Sequence, residues 1–194
     1  MSSREKIVNA AVELFYRRGY QATSIDDIIA GAAVCKSNFY YHFKSKEELG
    51  VEVLDQRKDQ FKQVMATTLN NEEMMPRQRL ESFLELILQA QDTRLGKCGC
   101  PFGNLIAEMA EHNERIRCEI SQMFEGIVSH VECMFLEGQN LGQFRSDVVA
   151  GDVAALVIET VQGMLLMTKC HKSVDSLRRG SHVLMQLLTN DQNP

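Results

Sequence analysis

Residues 23–49 read TSIDDIIAGAAVCKSNFYYHFKSKEEL, and this stretch decides the fold. Thr23 or Ser24 can cap a helix, with Asp26 or Asp27 placed three residues on to complete a capping box. Ile25, Ile28, Ile29 and Ala32 then share one helical face. A tight turn leads to a further helix predicted over 36–43, with Phe39 and Phe43 on the face that must pack inward. At Ser45 a new cap begins, and Glu48 completes its box. Between these caps stand Tyr40, Tyr41, His42 and the lysines Lys36, Lys44 and Lys46. Such a run is costly to bury and has no catalytic partner beside it. Its phenol, imidazole and ammonium donors suit phosphate oxygens.

Working outward, the preceding segment 4–19 places Ile7, Ala10, Ala11, Leu14 and Phe15 at helical spacing, and Gly19 is a C-terminal stop. After Ser45 a fourth helix is predicted to run to about Leu69. Pro76 opens a fifth, striped by Leu80, Phe83, Leu84, Ile87 and Leu88. The sequence RLGKCGCPFGN at 94–104 breaks the pattern. A short helix is expected near 105–110, then a long one carrying Ile116, Ile120, Met123, Phe124, Ile127, Val131, Met134 and Phe135. Residues 153–170 are apolar nearly all round, which implies burial on several sides. A last amphipathic helix holds Leu177, Leu184, Leu187 and Leu188. The expected class is all-α with about nine helices.

The chain has 194 residues, six cysteines and a net charge of -5. The charge is uneven: residues 1–46 hold seven Lys+Arg against four Asp+Glu, so a small basic head precedes an acidic body. No run of about 18 apolar residues suggests a membrane span, and the first residues lack the apolar core of a secretory signal. A cytoplasmic protein with reduced thiols and no membrane association is expected. No P-loop, HExxH, GxSxG or dinucleotide fingerprint occurs, so an enzyme is not expected. No metal-ligand spacing is evident, and neither a metal nor a cofactor is expected.

The order AAVELFYRRGYQATSIDDIIAGAAVCKSNFYYHFKSKEEL closely resembles the N-terminal domain of the TetR family of transcriptional repressors. The resemblance covers about residues 4–54. It implies a three-helix helix-turn-helix DNA-binding domain over 1–54 and a larger helical effector-binding and dimerisation domain over 55–194. It further implies that the helix at 36–43 enters the major groove, with Lys36, Ser37 and Asn38 reading base edges. Tyr40, His42 and Lys46 would hold phosphates, with Thr23 and Ser24 at the start of the second helix. Tyr41 belongs to the same DNA-facing group, although a structural role is favoured for it. Two departures stand out. Ala33 occupies the place of the family's turn glycine, where a positive φ would cost about 1 kcal/mol. Cys35 replaces the usual capping serine, and a thiol caps poorly.

The resemblance also implies a homodimer built on the last two helices, a double-stranded palindromic operator, and a small-molecule effector that releases it. Gly163, Ala154 and Ala155 would permit close helix approach at the dimer contact. Candidate pocket residues are Phe83, Ile87, Phe102, Leu105, Met109, Phe124 and Met164, which favour an apolar or neutral effector. Cys98 and Cys100, beside Lys97, are candidate reactive thiols, expected to react before helix-buried cysteines such as Cys133. A thiol-based electrophile or redox sensor on the same scaffold is therefore the alternative reading, and a helical adaptor without an effector is a second one.

Overall fold

The computed structural model describes residues 1–93 and 98–190. Among them are nine α-helices: α1 (Ser3–Arg18), α2 (Ile25–Ala32), α3 (Lys36–His42), α4 (Lys46–Thr67), α5 (Pro76–Thr93), α6 (Pro101–Met109), α7 (Glu114–Asn140), α8 (Ala150–His171) and α9 (Asp175–Leu188). The expected all-α class is what the fold shows. Pairing of strand type is limited, among the described residues, to one isolated bridge between Phe144 and Thr189.

Boundaries follow local chemistry. The short sixth helix starts at Pro101, four residues before the predicted start, because proline's fixed φ and missing N–H suit the first helical position. α4 ends at Thr67 rather than Leu69. The Thr67 and Thr68 hydroxyls donate back to the carbonyls of Gln63 and Val64 at 3.0 and 2.6 Å, and the chain turns.

The chain divides into two compact units. The first holds 1–60 with 101–120; the second holds 61–100 with 121–194. In the first, α1 packs on α2, α3 and α6. Ile7, Val8, Ala11, Phe15, Ile28 and Phe39 are buried there, as are Phe102, Leu105 and Met109 of α6.

In the second unit, α9 packs on α5 and α8. Its core joins Leu80, Phe83 and Leu84 of α5 to Val131 and Phe135 of α7, and to Val157, Val161, Leu177 and Leu184. Phe144 stacks on Phe135 at 4.6 Å. Gly138 makes room for that ring: a Cβ there would meet Phe144 Cδ2 well inside contact distance. α8 is long and apolar enough by composition to cross a bilayer. In the fold it is a core helix, with Val153, Ala154, Val157, Val161 and Leu165 buried.

Candidate DNA-binding surface

α2, the turn 33–35 and α3 form the helix-turn-helix, and their geometry follows from the caps. Ser24 caps α2: its hydroxyl accepts the Asp27 N–H at 3.0 Å, and the Asp27 carboxylate accepts the Ser24 N–H at 2.8 Å. The Ser24 hydroxyl also donates to Asp27 Oδ2 at 2.5 Å, and this bond, with that from the Ser24 N–H and with Arg18 nearby, holds the Asp27 carboxyl below the usual range. α2 ends at Ala33, whose φ of 52° and ψ of 47° are left-handed. An alanine there carries the Cβ strain that a glycine avoids. Ala33→Gly is expected to raise stability by about 1 kcal/mol. A thermal melt checks this, and an unchanged or lowered midpoint would show that the turn is relaxed.

Cys35 occupies the N-cap of α3 and makes no side-chain cap bond, as expected of a thiol. Its Sγ lies 3.1 Å from Ser37 Oγ, and this contact, with the Asn38 N–H, lowers the thiol's proton affinity.

Behind this exposed edge, Phe39 and Phe43 are buried, with their rings 6.1 Å apart. Arg4 lies 5.3 Å over the Phe43 ring and pairs with Glu52 at 2.8 Å.

The nine expected contact residues separate into three groups. Lys36, Ser37, Tyr40 and Tyr41 are exposed on α3. Lys36 Nζ lies 3.6 Å from Asp26, a solvent-exposed pair of little energetic weight. Tyr41 was expected to be the structural tyrosine, and here the structure differs. Tyr41 is 84% exposed, while Tyr40, at 48%, packs edge-on against Phe39 at 5.3 Å. The inward-facing positions of this short helix are taken by Phe39 and Phe43, and Tyr41 is turned away from both. His42 is half-buried and meets the Tyr41 ring edge-on at 4.9 Å.

The second group is already engaged. Asn38 is half-buried, and its Nδ2 donates to Ser3 Oγ at 3.1 Å. Ser24 is occupied by its own capping box. Lys46 is half-buried, with its ammonium 4.2 Å above the Tyr20 ring. Thr23 stands alone as the third. It is fully buried, and its hydroxyl donates to Gly19 O at 2.7 Å, so it pins the α1–α2 turn instead of facing solvent.

Lys44 is not among the nine expected contacts. It is exposed, and its N–H donates to Glu48 Oε2 at 2.7 Å, so the α4 box closes on Lys44 while Ser45 accepts the Glu48 N–H. The lysine run itself was the available signal for it. No local signal marked Glu108, whose carboxylate accepts the Gln21 N–H at 2.6 Å from 87 residues away.

In the second unit, Phe83 and Met164 are core residues, and Ile87 and Phe124 pack against that core. Phe124 also lines an open groove of about 730 Å³ along α7 and α8, with Val128 and Ile158. Cys98 is buried and Cys100 half-buried; Lys97 lies outside the described residues. The Gln91 side chain clamps the glycine between them, accepting the Gly99 N–H and donating to Gly99 O, both at 3.1 Å. Cys133 was expected to be buried and is exposed. It falls on the face of α7 opposite the stripe of Val131, Met134 and Phe135.

Comparison with known proteins agrees with this architecture. Residues 7–53 match the profile described as bacterial regulatory proteins, tetR family. Residues 76–184 match the tetracyclin repressor-like C-terminal domain. The chain is 29% identical over 185 residues to the HTH-type transcriptional repressor DhaR of Mycobacterium sp., covering 95% of this chain and 91% of that protein. Over 55 residues, 28% of this chain and 29% of the other, it is 44% identical to the HTH-type transcriptional regulator QacR of Staphylococcus aureus. Among solved structures, a regulatory protein TetR from Rhodobacter sphaeroides superposes with a TM-score of 0.89 at 22% identity, covering 96% of this chain and 99% of that one. Reduced NemR of E. coli superposes at 0.85 and 21% identity, covering 98% and 99%. With a helix-turn-helix head, and with both its N-terminal and C-terminal parts matched, the chain belongs to the TetR family of DNA-binding transcriptional regulators.

Proposed function

We propose that this protein is a cytoplasmic repressor that binds a palindromic operator as a homodimer and leaves it when a small-molecule effector binds. The head over 1–54 carries the DNA contacts, and the remainder carries the effector and dimer functions. The observation that carries this reading is the division within one short helix. Phe39 is buried, while Lys36, Ser37, Tyr40 and Tyr41 stand outward together. Lys36 and Ser37 are assigned to base edges, and Asn38 joins them only on releasing Ser3. Tyr40, Tyr41, His42, Lys44 and Lys46 are assigned to phosphates, and Thr23 to holding the turn. One such head reads too few base pairs for discrimination. Two heads related by a twofold axis read half-sites about one turn apart.

The dimer face is assigned to an apolar seam on the last two helices. Leu156, Gly163, Leu166 and Met167 lie exposed along α8, and Val183 and Leu187 along α9. Gly163 opens onto free space, as a close-approach position requires. Ala154, by contrast, is spent inside the protomer's own core. For the effector, the groove at Phe124 is assigned, where Phe124, Val128, Ala155 and Ile158 offer apolar contact and Glu125 and Glu159 disfavour an anionic molecule. A non-covalent effector is favoured over thiol sensing, because Cys98 is buried and Cys100 packs against the second unit's core.

Selection of bound duplexes from random DNA tests the reading. Enrichment of an inverted repeat supports it, and recovery of unrelated sequences with equal affinity would overturn it. On the selected operator, Lys36→Ala should cost about 1–3 kcal/mol at particular base pairs and relax preference there. Tyr41→Phe should weaken all duplexes alike, because phosphates carry no sequence information. Competition binding against single-base operator variants distinguishes the two effects, and a reversed pattern would exchange their roles.

A further inference from the structure

Each of the three candidate base readers meets a partner within the first compact unit. Lys36 Nζ lies 3.6 Å from Asp26, and Ser37 Oγ lies 3.1 Å from Cys35 Sγ. Those two partners belong to the helix-turn-helix itself. The partner of Asn38 does not: Nδ2 donates at 3.1 Å to Ser3 Oγ, 35 residues away at the start of α1. Ser3 is firmly placed. Beside it Ser2 caps α1, accepting the Glu5 N–H at 3.2 Å while the Glu5 carboxylate accepts the Ser2 N–H at 2.7 Å. One turn on, Ile7 is fully buried, so Ser3 shares the inward face of α1. α1 packs on α3, and Ser3 and Asn38 are both half-buried. Phe39, the next residue of α3, is fully buried and Ser37 is exposed, which sets Asn38 on the flank between core and solvent.

We propose that Ser3 is a specificity-determining residue: it holds the Asn38 amide against α1, so that the amide must leave Ser3 before it reads a base. This rests on the DNA-binding reading made above. A bidentate pair with adenine engages Nδ2 and Oδ1 together, and with Nδ2 held on α1 that edge is turned from the groove. A serine hydroxyl donates as well as accepts, so the hold survives either orientation of the amide. The bond joins two neutral groups and is modest in net strength. Adenine therefore wins the amide, with its preference reduced by the factor that the Ser3 bond contributes. At a base pair that cannot take the amide, Asn38 stays on Ser3 and affinity is unaffected.

The test compares wild type, Ser3→Ala, Asn38→Ala and the double variant in competition against every single-base variant of one half-site of the selected operator. Ser3→Ala is expected to sharpen the preference for adenine at one position by about threefold to tenfold, and to leave the other positions unchanged. Asn38→Ala is expected to relax that same position, and the double variant to match Asn38→Ala. Ser3→Thr, which keeps a hydroxyl, is expected to read as wild type does. An unchanged preference in Ser3→Ala, or a sharpening that survives in the double variant, overturns the proposal. So does a uniform loss of affinity for all duplexes in Ser3→Ala, which would put Ser3 on a phosphate. Without DNA, exchange of the Asn38 side-chain amide hydrogens with water, read by NMR, should be faster in Ser3→Ala than in wild type; equal rates also overturn it. If the wild type prefers no duplex, the DNA reading itself fails, and the exchange rates still decide whether Ser3 holds Asn38.

Discussion

Leu166→Glu is expected to convert the protein to a monomer that no longer binds its operator at concentrations where the wild type saturates it. Leu166 is 65% exposed on α8, in a seam with Leu156 and with Leu187 of α9, itself 59% exposed. Burying each such leucine against a second copy is worth about 1.5–3 kcal/mol. A carboxylate placed there adds the cost of an unpaired charge at a closed contact. Dimer dissociation should therefore rise by at least about 100-fold, at roughly 1.4 kcal/mol per tenfold. Losing the linkage between two heads lowers operator affinity by a further factor of about 10²–10⁴. The protomer's own fold should be untouched, because the side chain meets solvent within it. Light scattering and operator titration on one preparation measure both effects. A dimeric Leu166→Glu protein would remove this seam from the interface.

The second large effect is expected at Phe39. The ring is fully buried, meets Tyr40 edge-on at 5.3 Å and lies 6.1 Å from Phe43. Phe39→Ala should cost about 3–5 kcal/mol, a loss of roughly 6–20 °C in melting midpoint for a chain of this size. Because α3 has no side-chain cap at Cys35, packing of Phe39 is what holds it against α1 and α2. Operator binding should disappear with it, while Phe39→Leu should keep most of both. Melting followed by circular dichroism decides. An alanine variant that melts within a degree or two of wild type would mean that α3 is held by something else.

These two sites show what kind of information each level carries. The inward turn of Phe39 and Phe43 was legible in the sequence, because 3.6-residue periodicity places them on one face whatever surrounds the helix. The same local rules offered the capping box of Ser24 with Asp27 as one of their alternatives, while the left-handed Ala33 and the missing cap at Cys35 were expected from comparison with the family's turn. Each depends on atoms within a few residues. The exposure of Tyr41 was legible too, although a structural role was expected for it: at about 100° per residue, Tyr41 stands roughly 200° from an inward Phe39 and Tyr40 only about 100° from it.

The sequence by itself determined the helical class, the helix-turn-helix and the family, since these rest on periodicity, caps and a matched order of residues. Only the tertiary structure decided which of the candidate donors are engaged within the protein. Thr23 is consumed by Gly19, and Asn38 by Ser3, through bonds spanning four and 35 residues. Lys46 is drawn onto the Tyr20 ring. It also decided that α6 packs with the head, as residues 101–120 join residues 1–60 in one unit. The physical reason is range. A cap or a helical face is an energy between near neighbours, whereas the pairing of Glu108 with Gln21 exists only after the chain has closed the loop between them.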